Sequence, residues 1–273
     1  MLTPARALLL ASESDPIPSV PELVELDRLN FRPRRGQLTM IVGQPGALKS
    51  TFALWWAWRT DLKTLYFSAD MDAHDAVTRL TACVTGEKVN AVSEALDLGA
   101  EGLYEDVLDQ LNIQFCFDSA PTLDDIADEV AAYVELRDAF PEIIVIDNVM
   151  NVESEMGEQH AGLHLVMKEA HRLARTTQAA VFVLHHMREE GSSADIQPRS
   201  GIAGKIAQLP ERILGVAFDG MSDTFRFYPL KNRGGKADPS GHSSLYLSAM
   251  PEKATFGAYT YPTWGGYTYG QES

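Results

Sequence analysis

Ile41-Val-Gly-Gln-Pro-Gly-Ala-Leu-Lys-Ser-Thr51 joins the apolar run Leu38-Thr-Met-Ile-Val42 to the hydrophobic stretch Thr51-Phe-Ala-Leu-Trp-Trp-Ala-Trp-Arg59. The first run predicts a strand and the last a buried helix. Strand, glycine turn, Lys-Ser and helix, in that order, make a phosphate-binding loop. Gly43 and Gly46 let the backbone curl so that successive N–H groups point inward, and the helix N-terminus adds its partial positive charge. The nucleotide-contacting set is therefore Gly43, Gln44, Pro45, Gly46, Ala47, Leu48, Lys49, Ser50 and Thr51. Lys49 is expected on the β- and γ-phosphates and the Ser50 hydroxyl on Mg²⁺. One position departs from the pattern G-x-x-x-x-G-K-[ST]: Leu48 stands where it has glycine, and leucine resists unusual φ values. The bland alternative is an ordinary strand–turn–helix with a solvated lysine, and the motifs downstream weigh against it.

The chain of 273 residues suits one large α/β domain with short appendages. Hydrophobic residues make up 45% and charged residues 22%, a globular balance. A formal net charge of −15 argues against a protein that coats nucleic acid with its whole surface, while leaving room for a local basic channel. Cys83 and Cys116 are too few for a disulfide framework or a zinc ribbon, and read as free thiols of a reducing compartment. Ala7-Leu-Leu-Leu-Ala11 is too short to span a membrane and lacks signal-peptide flanks, so the expected location is cytoplasmic, with no membrane partner.

Residues 1–29 read as an N-terminal extension, with a weak helix over 1–11 and a linker at Ser12-Glu-Ser-Asp-Pro-Ile-Pro18. Arg28, Arg32, Arg34 and Arg35 form a basic cluster, either a solvated face or a contact with a neighbour or phosphate. Residues 30–250 carry the alternation of strands and helices that predicts an α/β fold with a mainly parallel, doubly wound sheet, its sites at the strand C-termini. Within it, Lys63–Ser68 and Ile113–Phe117 read as strands, Ala73–Thr85 as a helix ended by Gly86, and Thr122 with Asp125 as a helix start. Further strands are expected at Glu142–Asp147, Ala179–Leu184, Ile213–Phe218 and Thr224–Tyr228, with a helix over 160–178. Residues 251–273 form an aromatic, glycine-rich tail.

Asp147 closes the apolar strand Glu142-Ile-Ile-Val-Ile-Asp147, where a carboxylate can hold the Mg²⁺ shell beside Ser50. Hydrolysis also needs a group to orient or deprotonate water. Asn148 follows Asp147, so the base is sought at Asp70, at the end of the strand after the loop helix; a helix cap is its plain alternative, and Asp72 shares that option.

Taken in order, Gly-Gln-Pro-Gly-Ala-Leu-Lys-Ser, Phe67-Ser-Ala-Asp-Met71, Ile143-Ile-Val-Ile-Asp147, Leu184-His-His186 and Leu230-Lys-Asn-Arg-Gly234 resemble the RecA-fold ATPases of the DnaB and RepA helicase group. The resemblance covers residues 30–250 and implies a RecA-like P-loop NTPase core using ATP and Mg²⁺. It places Asp70 where the family ordinarily has a catalytic glutamate, and His186 where a polar strand-end residue senses the γ-phosphate. It matches Lys231 and Arg233 to a pair that reaches a neighbouring subunit's γ-phosphate, which implies a ring or filament of identical subunits, usually a hexamer. Leu48 and the paired histidines fit the RepA branch better than the DnaB branch.

The same likeness places single-stranded DNA on the loops after the Asp147 and His186 strands. The first, Asn148 to Gln159, holds Glu153, Glu155 and Glu158 and no lysine or arginine; the second, residues 188–205, holds Arg188, Arg199 and Lys205 and is the expected DNA contact. His160, His164 and His171 do not make a convincing metal site without a further ligand. The resulting expectation is a ring-forming ATPase motor on single-stranded DNA in replication or recombination. The alternatives are an accessory ATPase that does not unwind, and an assembly protein in which slow hydrolysis leaves ATP mainly holding subunits together.

Overall fold

The structure, a computed structural model, describes residues 15–154, 159–188, 198–261, 263–264 and 267–268. The residues around the glycine turn form what their composition dictates. Leu38–Gly43 is strand β1, buried at every position. The other strands are β2 (Thr64–Ser68), β3 (Ile113–Cys116), β4 (Ile143–Asp147), β5 (Ala180–His186), β6 (Arg212–Asp219), β7 (Thr224–Asn232), β8 (Leu245–Met250) and β9 (Thr255–Ala258). They form a single sheet in the order β3-β2-β4-β5-β1-β6-β7-β8-β9. The run from β3 to β6 is parallel, and β7, β8 and β9 extend it antiparallel. The parallel core is the expected one; the antiparallel end makes the whole sheet mixed.

The helices are α1 (Val24–Arg28), α2 (Lys49–Thr60), α3 (Ala73–Thr85), α4 (Val89–Asp97), α5 (Glu105–Leu108), α6 (Leu123–Arg137) and α7 (Gln159–Thr177). Strand periodicity of two sorts β1 between two cores. Ile41 faces Phe52, Trp55 and Trp56 of α2, while Leu38, Met40 and Val42 face a second core with Ile126 of α6 and Val166 and Met167 of α7. Local signals set the helix ends. Asp72 caps α3 by accepting from the Asp75 N–H at 2.8 Å, and Gly86 ends it at φ 75. Thr122 and Asp125 form a reciprocal capping box on α6.

Packing runs past the 30–250 interval at both ends. Ile17, Val20, Leu23 and Leu26 lie buried in the α2 core, and Arg59 of α2 holds Glu22 at 2.7 and 2.8 Å. Phe256 of β9 lies 4.7 Å from Phe225 and 5.4 Å from Trp55, ring centre to ring centre. The basic cluster has acidic partners within the chain: Arg28 pairs with Glu25, Arg32 with Asp27 and Arg35 with Glu142. The weak helix expected over 1–11 lies outside the described residues.

The junction of β1 with the loop leaves no space for a side chain. A Cβ at Gly43 would sit 2.5 Å from the Val216 carbonyl oxygen of β6 and 3.0 Å from the Val216 Cγ2. Gly43→Ala should therefore cost about 2 kcal/mol through overpacking. Differential scanning calorimetry should record a fall in Tm of about 4–8 °C.

Candidate active site

Parallel register brings four functional strand ends to one edge of the sheet. Gly43 of β1 is level with His186 of β5, and Ser68 of β2 with Asp147 of β4. The loop that leaves Gly43 turns through Gly46 at φ 77, where a Cβ would meet nothing within 4 Å, so glycine is needed there for its backbone conformation alone. Leu48 takes the left-handed conformation as well, at φ 58 and ψ 27, which costs a leucine about 1–2 kcal/mol. Its side chain packs against the α2 core and offsets part of that cost. The Leu48 carbonyl accepts from the Phe52 N–H at 2.8 Å, opening α2.

Lys49 folds back over the loop. Its Nζ donates to the Gly43 and Gln44 carbonyls at 3.2 and 3.0 Å and lies 3.2 Å from His186 Nδ1. Burial lowers the pKa of this ammonium, and the charges of Asp147 and Asp70 act in the opposite sense. Asp147 is 1% exposed. Burial raises the pKa of its carboxyl, against hydrogen bonds from the Ser50 and Tyr66 hydroxyls. The Tyr66 hydroxyl donates to Asp147 Oδ2 at 2.8 Å from a fully buried ring. A buried carboxylate bonded to the hydroxyl after the loop lysine is a donor set that suits Mg²⁺, a hard cation that takes oxygen ligands.

The two histidines part company because they are neighbours on a strand. His186 faces the loop, with Nε2 3.4 Å from Asn148 Nδ2. Burial and the nearby Lys49 charge lower its pKa. His185 faces the opposite core, wholly buried, with neither ring nitrogen hydrogen-bonded among the described residues. Burial takes its pKa to about 4, so the ring is neutral. Asp70 is exposed at the same strand edge, where its charge acts on Lys49, Asp147 and His186. Its N–H donates to the Asp147 carbonyl at 3.2 Å. Asp72, not Asp70, serves as the helix cap.

Lys231 and Arg233 lie elsewhere. Antiparallel pairing sets Lys231 opposite Ile213, and Asn232 opposite Arg212, at the sheet edge where β1 begins. The six residues of β1 separate that edge from the loop by about 16 Å. Lys231 Nζ donates to the Ala207 and Gln208 carbonyls at 3.0 and 2.7 Å. Arg233 Nη1 lies 3.4 Å from Glu211 Oε1, with 56% of its side chain exposed. Of the expected DNA contacts, Arg199 acts on Lys231 electrostatically, and its N–H donates to the Pro239 carbonyl at 3.0 Å. The side chain of Lys205 and residues 189–197 lie outside the described residues, as do Glu155 and Glu158. Among the described residues, no cluster of His, Cys, Asp or Glu could hold a metal ion, and no helix is long and apolar enough to cross a membrane.

Sequence reading passed over Tyr66, Asn148 and Glu211. Tyr66 sits inside an apolar strand run and looks like core. The only sign of Glu211 is a charged pair, Glu211-Arg212, at the mouth of a buried strand.

The AAA domain family matches residues 4–192. The chain belongs to that family. This AAA domain protein is 37% identical to the Gene 65 protein of Mycobacterium phage L5 over 256 residues, covering 90% of this chain and 95% of the relative. It is 35% identical to the Gene 65 protein of Mycobacterium phage D29 over 218 residues, 77% of this chain and 94% of the relative. Among solved structures it is similar to a helicase ATPase domain, with a TM-score of 0.80 at 17% identity over 94% of this chain and 99% of that one. A DnaB-like replicative helicase, solved in a study of its interactions with primase, matches with a TM-score of 0.77 at 17% identity, over 94% of this chain and 67% of that one. The fold is thus the RecA-like fold of helicase ATPase domains, and it is an NTPase fold.

Tyr66→Phe should expose the electrostatic part of the site. The hydroxyl stabilises the ionised form of Asp147, so its loss raises the folded-state pKa of that carboxyl further. The deficit is present where Asp147 is ionised and shrinks as pH falls through that raised pKa. Urea melts at neutral pH should show a loss of about 1.5–3 kcal/mol, narrowing in acid; a deficit independent of pH would mean that Tyr66 acts by packing alone.

Proposed function

We propose that this protein is a Mg²⁺-dependent ATPase of the DnaB and RepA kind, which assembles into a ring and acts on single-stranded DNA. The observation that carries the ATPase reading is the meeting, at one sheet edge, of the phosphate loop with Asp147, His186 and Asp70. On this reading the N–H groups of residues 43–51 cradle the phosphates, and Lys49 exchanges its two carbonyl partners for phosphate oxygens. Ser50 and Asp147 would hold Mg²⁺, which supplies neutralisation of the phosphate charge when bound. Asp70 accepts the proton of the water that attacks the γ-phosphorus, while the bond to the ADP oxygen breaks and His186 senses the phosphate.

The subunit reading rests on the separation of Lys231 and Arg233 from the chain's own loop. An arginine about 16 Å away and tied to Glu211 cannot serve that loop. It is placed to serve the loop of another copy, where such a charge contributes about 10³-fold or more in related phosphoryl transfers. The DNA reading rests on likeness to the DnaB-like helicase and on Arg188 at the root of the second loop. A slower, assembly-controlling ATPase is the second reading, favoured by the strained Leu48 and the short carboxylate of Asp70.

Asp70→Asn should bind ATP as tightly as the parent by calorimetry and lose turnover about 10²-fold or more, since an amide cannot take the proton. Wild-type turnover would move the base elsewhere. In the parent, single-stranded DNA should stimulate ATP turnover, and the stimulation should fade with salt as displaced counterions return. Tight ATP binding with almost no turnover, with or without DNA, would support the assembly protein instead.

A further inference from the structure

We infer that Glu211 is the positioning residue for Arg233, fixing the direction in which that arginine is offered to a neighbouring subunit's nucleotide. The inference rests on the reading above that Arg233 acts on another copy.

Glu211 is a carboxylate only 3% exposed, which is unfavourable unless its charge and lone pairs are matched. They are matched, and in an ordered way. Its N–H donates to the Leu38 carbonyl at 3.0 Å, and its Oε2 accepts from the Leu38 N–H at 3.0 Å. Both backbone groups of the first residue of β1 are thus committed to Glu211, and the carboxylate cannot swing away. Its other oxygen, Oε1, faces His171 Nε2 at 3.0 Å, Arg233 Nη1 at 3.4 Å and Arg175 Nη2 at 3.8 Å.

Arg233 is held by this one residue at two points. Its N–H donates to the Glu211 carbonyl at 3.1 Å, and its guanidinium meets the Glu211 carboxylate. Backbone and tip are both anchored, so the extended side chain has little freedom of direction, while its remaining donors face outward. Lys231 has a separate anchor, the carbonyls of Ala207 and Gln208.

The surplus of positive partners has a purpose on this view. When Arg233 shares its charge with a phosphate, Glu211 still has His171 and Arg175, four residues apart on α7. The buried carboxylate is never left uncompensated, so Arg233 can engage and disengage without disturbing the start of β1.

The test is Glu211→Gln in the full chain, since the amide oxygen can still accept from the Leu38 N–H but cannot pair with Arg233. ATP affinity and Tm should stay close to those of the parent, while kcat falls about 10- to 100-fold, the loss typical of a misplaced group. Combining it with Arg233→Ala should give no further loss beyond Arg233→Ala alone. Mixing Glu211→Gln with Lys49→Ala, which brings an intact Glu211–Arg233 pair but an impaired loop, should restore part of the turnover. A merely structural role would instead lower Tm and ATP affinity together, and its effect would multiply with that of Arg233→Ala. If Glu211→Gln does not fold, Glu211→Asp, which keeps the charge and withdraws it by one methylene, carries the same expectations. Normal turnover in Glu211→Gln beside an impaired Arg233→Ala would overturn the positioning role alone. Normal turnover in Arg233→Ala would overturn the reading beneath it.

Discussion

Strand β1 has no face turned to water. Ile41 enters one core and Leu38, Met40 and Val42 the other, while β5 and β6 pair with it on either side. Four such side chains contribute about 6–12 kcal/mol on burial, comparable with the whole net stability of a typical domain. The strand therefore cannot tilt or slip without losing the fold. Gly43, at its end, meets the Val216 carbonyl with no room to spare, and that contact sets where the phosphate loop starts. Leu38, at its beginning, spends both backbone groups on Glu211. One rigid rod carries the two functional ends of the molecule.

The loop end is built with its charges half satisfied. Lys49 and Asp147 are both buried, and in each case burial disfavours the charged form. Lys49 rests on two loop carbonyls and Asp147 on two hydroxyls. Carbonyls and hydroxyls are modest partners for full charges, and an anion or a cation would displace them at little cost. Such a site is stable enough to fold while unliganded and is organised to respond to charge.

What could be read from the sequence was the local part. A glycine turn, a Lys-Ser pair and an apolar strand ending in aspartate are contiguous patterns, and each led to the element found. The pairing of Leu38 with Glu211, 173 residues apart, and of Tyr66 with Asp147, 81 apart, depends on strand order, which no short pattern encodes. Tyr66 and Glu211 were missed for that reason. The adjacent histidines looked alike in the sequence, and only the two-residue period of β5 gives them opposite surroundings. Ile17, Val20, Leu23 and Leu26 sit in a proline-rich segment that reads as linker, yet they close one core.

The placement of the phosphate loop and Arg233 at opposite edges of one sheet restricts the symmetry of any assembly that joins them. Two copies related by a two-fold axis bury the same patch on both sides, so they would set loop against loop or arginine against arginine. A contact between unlike patches always leaves one of each unsatisfied at the ends of the chain of subunits. It ends only when the rotation per step divides a full turn, and otherwise it propagates as a helix. The angle between those two edges, and no feature of the nucleotide chemistry, then decides how many copies a closed particle contains.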